Sequence, residues 1–259
     1  MTHILFETAA DGVATVTINR PEKRNVISHA MWHRFRDICD RIAADGTIRA
    51  VLFTGTGDHF CAGADITEFE TVRKDAASAE RFDADIHAAE EAIANLPVPT
   101  IAAISGYCIG GGTGLALCCD IRLGHTSSHF SIPAAKLSVL YGLRDCQALV
   151  AAVGLANAKR IMFTADQIDA REAYDMGLLQ KLVEGDVKAE ARAMAERIAA
   201  NAPLSLSGSK MVLNAISRNE GAQRVEEFRD LQRRTHTSAD HMEAARAFRE
   251  KRRPIFTGR

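Results

Sequence analysis

Apolar and polar residues alternate through Val13-Ala14-Thr15-Val16-Thr17-Ile18, with β-branched side chains at most positions, and this pattern predicts a strand. Arg49-Ala50-Val51-Leu52-Phe53-Thr54 and Thr100-Ile101-Ala102-Ala103-Ile104 are nearly continuous apolar runs, as expected of buried strands. A polar loop at residues 19–25 and a Gly-Thr-Gly-Asp turn at 55–58 separate these strands from their neighbours. Ser28 is placed to cap a helix running to about residue 44, and a second helix is expected over about 79–94. A glycine triplet opens a helix ending near residue 119, and residues 121–123 and 130–132 have the character of short strands. After about residue 143 the strand pattern stops. Helices are predicted at 145–153, 156–163, 170–175, 187–200, 204–216, 223–235 and 238–249. Strands alternating with helices imply an α/β core with largely parallel pairing over residues 1–199, followed by an all-helical region over 200–259.

The stretch from Leu96 to Cys119 carries no charge and is long enough to resemble a membrane span. Pro97, Pro99 and five glycines divide it into a strand and a later helix, so no membrane partner is expected. Lys plus Arg is 32 and Asp plus Glu is 33, a net charge of −1 that argues against a nucleic-acid partner. None of the six cysteines forms a Cys-x-x-Cys, and most sit among apolar or small residues. They are expected to be reduced core residues, and with no secretory signal at the N-terminus a cytoplasmic location follows as an expectation. The pairs His29/His33 and His125/His129 show no third ligand in the sequence, so no metal site is expected.

Two segments carry candidate chemistry. Phe60-Cys61-Ala62-Gly63-Ala64-Asp65-Ile66 follows a strand and a glycine turn, and its small residues let a ligand approach the main chain. Ile109-Gly110-Gly111-Gly112-Thr113-Gly114 follows another strand and opens a helix, whose first N–H groups are unpaired and carry partial positive charge. No Gly-Lys-Ser/Thr follows, which excludes a phosphate loop, and the glycine spacing does not fit a dinucleotide-binding turn.

Together with Val16-Thr17-Ile18-Asn19-Arg20-Pro21, Ile104-Ser105-Gly106-Tyr107-Cys108, Cys119-Asp120-Ile121-Arg122, Phe130-Ser131-Ile132-Pro133 and Ala173-Tyr174-Asp175-Met176-Gly177-Leu178, these segments resemble the enoyl-CoA hydratase/isomerase (crotonase) superfamily. Arg246-Ala247-Phe248 and Lys251-Arg252-Arg253-Pro254 extend the likeness to the C-terminus. The resemblance implies a spiral core of repeated ββα units and a C-terminal helical region that forms a homotrimer or hexamer. It implies an acyl-CoA thioester as substrate, coenzyme A being part of that substrate and no prosthetic group being bound. By position, the backbone N–H groups of Ala64 and Gly111 would form an oxyanion hole. Two fixed donors there would stabilise a thioester enolate more than the ground state. The resemblance also assigns coenzyme A contacts to Lys23, Arg24, Asn25 and Val26, to the Ala62 carbonyl, to Asp65, Ile66, Gly110 and Pro133, and to Lys251 in the basic tail.

The sequence departs from the family where hydratases carry two glutamates. Those positions are Gly114 and Ala134, and neither side chain can transfer a proton. Simple hydration is therefore not the expected reaction. Thioester-enolate chemistry of another kind, by a lyase or isomerase, is the expectation; a non-catalytic acyl-CoA-binding protein is the alternative. Tyr141 lies in the loop that borders the acyl pocket in the family and is the candidate polar side chain. Asp145 is expected to be a helix N-cap, Glu68 and Glu70 a solvated helix face, and Asp120 a partner for backbone donors.

Overall fold

The chain begins with an antiparallel pair, β1 (Ile4–Thr8) against β2 (Val13–Ile18), registered Ile4 opposite Ile18. Four further strands continue the sheet in parallel: β3 (Ala50–Gly55), β4 (Thr100–Ile104), β6 (Ile121–His125) and β9 (Lys181–Val183), in the order β1-β2-β3-β4-β6-β9. A smaller sheet holds β5 (Tyr107–Ile109), β7 (His129–Ser131) and β8 (Ile168–Asp169). The computed structural model describes residues 3–259. The helices are α1 (His29–Ala44), α2 (Phe69–Val72), α3 (Ala76–Ala94), α4 (Gly111–Cys118), α5 (Leu143–Thr164), α6 (Ala170–Asp175), α7 (Val187–Ala199), α8 (Pro203–Ser217), α9 (Val225–His236) and α10 (Ala239–Glu250).

The middle turns of the chain each give one strand to each sheet and then a helix. β4, β5 and α4 form one such unit; β6, β7 and α5 form the next. The continuous apolar runs follow from burial on both faces of the large sheet. In β3, Val51 and Phe53 face a core shared with Trp32, Phe35 and Ile38 of α1, whereas Ala50 and Leu52 face Val187, Ala191 and Ala195 of α7. β4 divides in the same way, Ala102 and Ile104 to one side and Ile101 and Ala103 to the other, as the period of two requires.

α5 is broken at Gly154, whose φ of +75° separates two helical halves close to the two predicted segments. β1, β5, β8 and β9 were not predicted. The charge-free stretch is β4, β5 and α4, and among the described residues no helix is long and apolar enough to cross a membrane. α8 docks on the core through Lys210, whose Nζ is 2.8 Å from Asp120 Oδ2 and donates to the Val98 carbonyl at 3.0 Å. Asp120 also accepts from the Thr100 amide at 2.7 Å, so it meets the expected backbone donor and a buried cation as well. Leu213, Ile216, Met242, Phe248 and Ile255 leave apolar side chains exposed along the C-terminal helices and tail.

Candidate functional site

The two candidate segments meet because of how the small sheet is started. Residue 61 bridges to Cys108 of β5: the Cys61 amide donates to the Tyr107 carbonyl and the Ile109 amide to the Cys61 carbonyl, both at 2.9 Å. The next residues turn back towards Ile27, whose amide donates to the Gly63 carbonyl and whose carbonyl accepts from the Asp65 amide, each at 2.8 Å. Ala64 sits between these bonds, and its own amide donates to no acceptor among the described residues. Across from it α4 begins. Gly110 adopts φ +53°, ψ −117°, and its amide is used on the Ser131 carbonyl at 2.8 Å, while the Gly111 amide, first in the helix, has no acceptor among the described residues.

The two unengaged amides are close. A β-carbon on Gly111 would lie 3.6 Å from the Ala64 nitrogen, and one on Gly63 would lie 3.9 Å from the Gly111 nitrogen. Gly112 holds this approach in place. A β-carbon there would meet the Cys61 carbonyl oxygen at 2.4 Å, so the helix start rests directly on the first segment's backbone.

Ala64 and Gly111 both line a cavity of about 260 Å³ whose lining also includes Trp32, Ile66, Phe82, Pro133, Ala134 and Tyr141. The Tyr141 hydroxyl lies 3.8 Å from where a β-carbon on Gly110 would be, and burial, then Asp145 and Glu90, raise its pKa. Ile66 stands exposed at the mouth. Arg73 pairs with Asp83 there and stacks against Phe69 and Phe82.

One further group in this cavity is absent from the sequence-based expectations. Glu90 of α3 is buried, and its Oε1 lies 2.9 Å from the point that a β-carbon on Gly114 would occupy. Its Oε2 is buried with no hydrogen-bond partner among the described residues; His87 Nδ1 stands off at 3.5 Å. Asp145 Oδ2 is 3.9 Å from the same His87 nitrogen, and the ligand atoms of His87, Glu90 and Asp145 all lie within 4.8 Å of one another. Burial pushes the Glu90 carboxyl up to about 7; His87 opposes that rise and Asp145 adds to it. The His87 imidazole is raised by its Glu90 partner, against its own burial. The same His87, Glu90 and Asp145, with Gly114, also line a larger cavity of about 520 Å³ bounded by α3, α4, α5 and α8, whose lining includes neither Ala64 nor Gly111.

Several expectations are corrected by the geometry. Asn25 is fully buried and acts as a loop staple: its Oδ1 accepts from the Arg20 amide at 2.9 Å and its Nδ2 donates to the carbonyls of Thr56 and His59 at 2.9 and 2.6 Å. The Asp65 carboxylate is likewise engaged internally, by Arg20 at 3.0 Å, Lys23 at 3.3 Å and the Thr67 hydroxyl at 2.6 Å, which leaves it nothing to offer a ligand. Burial alone would raise its pKa, but the hydrogen bonds from Thr67, Arg20 and Lys23 outweigh that and hold it at about 2. Asp145 is not the N-cap of α5. That residue is Gly142, and Asp145 lies one turn in, accepting the Gly142 amide at 3.1 Å while facing His87 and Glu90. Glu68 is no solvated face residue, since it accepts the His29 amide at 2.7 Å and caps α1. His29 and His33 have a third partner in Asp85, at 2.8 and 3.4 Å.

Lys23 and Arg24 are exposed beside this region, with Val26 half-buried, and the Ala62 carbonyl accepts no hydrogen bond among the described residues. Lys251 ends α10 and lies outside the cavity lining. Its neighbours Arg246 and Arg252 are paired with Glu243.

Comparison with known proteins agrees with the fold. Residues 8–259 match the enoyl-CoA hydratase/isomerase family model. The chain is 30% identical to the 1,2-epoxyphenylacetyl-CoA isomerase of Escherichia coli over the whole of both chains. It is 32% identical to an enoyl-CoA isomerase/hydratase of Mycosarcoma maydis, covering 96% of this chain and 93% of the relative. Among solved structures, an enoyl-CoA hydratase/carnithine racemase from Magnetospirillum magneticum superposes with a TM-score of 0.93 at 37% identity, covering 100% of this chain and 97% of that one. The enoyl-CoA hydratase of Bacillus anthracis superposes with a TM-score of 0.91 at 30% identity over the full length of both. A shared spiral of strands and helices, matched along nearly its entire length, places the chain in the enoyl-CoA hydratase/isomerase family, the crotonase superfamily.

Proposed function

We propose that this protein processes an acyl-CoA thioester by stabilising its enolate on the main-chain amides of Ala64 and Gly111. The observation that carries the reading is that these amides, from segments 47 residues apart, are both without an acceptor among the described residues, lie close together and belong to residues lining one cavity. A thioester oxygen gains charge when the α-carbon loses a proton, and preformed donors in a site closed to water favour that state. One such donor contributes about 2.7–4 kcal/mol to lowering the barrier. Coenzyme A enters as part of the substrate, with the exposed Lys23 and Arg24 and the free Ala62 carbonyl as its contacts, and no prosthetic group is called for. The exposed apolar residues of the C-terminal helices and tail support a homotrimer or hexamer.

The reaction is not efficient simple hydration. Positions 114 and 134 offer only a hydrogen and a methyl group to hold a water on the acyl chain. The non-catalytic alternative rests on intact donor segments beside two missing glutamates; the Glu90 carboxyl in the cavity lining supports the catalytic reading over it. Crotonyl-CoA tests the claim: turnover near the common enzyme median of about 10 s⁻¹ would overturn it, and a rate orders of magnitude lower is expected. Calorimetric titration with butyryl-CoA tests the binding step, and absence of binding would sink the thioester reading itself.

A further inference from the structure

We propose that Glu90 is the proton-carrying group of this site, a carboxylate delivered from α3 into the space left open by Gly114, and that it moves a proton between carbons of the bound acyl chain. This inference rests on the thioester reading above and names the reaction class. Three features of the structure support it. First, the side chain is buried and lines the same cavity as the Ala64 and Gly111 amides. Second, buried Oε2 makes no hydrogen bond of good geometry among the described residues and has only the His87 imidazole nearby, with Nδ1 at 3.5 Å, so a carboxylate is held in the cavity beside one titratable partner. Third, Gly114 leaves room for it: a β-carbon there would lie 2.9 Å from Oε1, so a side chain at 114 would push this carboxylate end aside.

The chemistry follows from Glu90 lining the cavity of the two amides while positions 114 and 134 carry no carboxylate, and from the other two carboxylates of that lining being engaged elsewhere, Asp83 with Arg73 and Asp145 with the Gly142 amide. Hydration needs a water held and a proton moved to carbon. A double-bond shift needs only one base. In a β,γ-unsaturated thioester the carboxylate takes a proton from the α-carbon, the C–H pair enters the conjugated dienolate held by the two amides, and the same carboxyl returns the proton to the γ-carbon. The α,β-double bond forms as the β,γ-bond shifts, and nothing else is consumed or released. His87 and Asp145 act through Glu90 as positioning residues. The cation-forming imidazole favours the ionised carboxylate and the neighbouring carboxylate opposes it. Around the cluster stand further titratable or charged groups: Arg73 before α3, Asp83 and Glu91 on α3, Cys118 on α4, Tyr141 before α5, and Arg144 and Cys146 on α5.

The test uses the full-length protein, with 3-hexenoyl-CoA as substrate and butyryl-CoA as a binding probe. Conversion is followed by the absorbance of the conjugated product and by deuterium entering the acyl chain from D₂O. Glu90→Gln is expected to lower the conversion rate by about 10²- to 10⁴-fold, the range of a positioned proton-transfer group, with butyryl-CoA affinity unchanged. Gly114→Ala provides a second route, its methyl displacing the carboxylate while Glu90 remains, and is expected to lower the rate with affinity unchanged. His87→Gln is expected to move the rise of rate with pH to higher pH, because the ionised carboxylate loses its partner; an unmoved profile removes His87 from the assignment. Full activity in Glu90→Gln overturns the proposal. So does a wild-type protein that binds butyryl-CoA yet neither isomerises nor exchanges, an outcome that leaves the thioester reading standing. Failure to bind any acyl-CoA strikes the thioester reading instead.

Discussion

Replacing Gly112 with alanine isolates the contact that brings the two amides together. The added β-carbon would sit 2.4 Å from the Cys61 carbonyl oxygen, 2.9 Å from Cys61 Cβ and 3.1 Å from its carbonyl carbon, whereas ordinary contact begins at 3.4 Å. The difference, 3.4 − 2.4 = 1.0 Å, must be taken up by backbone, because no flexible side chain is involved. Overpacking of this kind costs about 1–3 kcal/mol. At about 2–4 °C per kcal/mol for a chain of this size, the unfolding midpoint should fall by roughly 2–12 °C. The catalytic effect should be larger than the stability effect. A misplacement of about 1 Å between reacting groups can cost on the order of 10²-fold in rate. The assay pairs thermal unfolding with deuterium exchange at the α-carbon of butyryl-CoA, which reports enolate formation directly. Gly46→Ala serves as the control, since nothing lies within 4 Å of its β-carbon position. A Gly112→Ala protein with wild-type exchange and wild-type midpoint would refute the reasoning, because the tight seat of α4 on residue 61 would then have no bearing on the amides.

Two further perturbations test the surroundings. Asp65→Asn leaves the buried Arg20 guanidinium without its anion and should cost about 3–5 kcal/mol in urea unfolding. Because the Asp65 carboxyl titrates near 2, below its unfolded value of 3.8, the stability it supplies is present above pH 4 and lost as pH falls towards 2, and the variant should lack that loss. Glu90 has the opposite sign. Its folded carboxyl prefers the proton, so wild-type stability falls as pH rises from the unfolded value of 4.5 through about 7. The midpoint of Glu90→Gln relative to wild type should therefore rise between pH 5 and pH 8, and a constant difference would contradict the burial assigned to this carboxylate.

The fold was legible where period and punctuation agree. The alternation at residues 13–18, the apolar runs of β3 and β4 and the Gly154 break in α5 each encode their structure locally. β5 and β8 were not legible because strands this short depend on the neighbours they pair with, whereas the equally short β7 was legible from Phe130-Ser131-Ile132. Asn25 and Asp65 were assigned to a ligand because both sit in motif segments. Their partners, Thr56, His59 and Arg20, come from other parts of the chain and show only in three dimensions.

Glu90 left a trace that could have been followed. Phe82, Ala89 and Ile93 mark the buried stripe of α3, and Glu90 falls on that stripe while Glu91 beside it stays outside the core. A carboxylate on an apolar helical face needs a reason. The reason, a glycine on a different helix, lies 24 residues further on and could not be connected to it by spacing alone. The Ala64–Gly111 pairing was accessible only through family likeness, since two glycine-bearing turns separated by a whole helix have no local signature of convergence.

The central claim concerns one oxygen atom, and isotope-edited infrared spectroscopy observes it. Butyryl-CoA labelled with carbon-13 at the thioester carbonyl should show its stretching band at lower wavenumber when bound than in water, because two main-chain donors polarise the bond, and Gly112→Ala should recover part of that shift. A bound carbonyl whose band stays at its aqueous position, or moves above it, would show that the Ala64 and Gly111 amides do not hold the thioester oxygen.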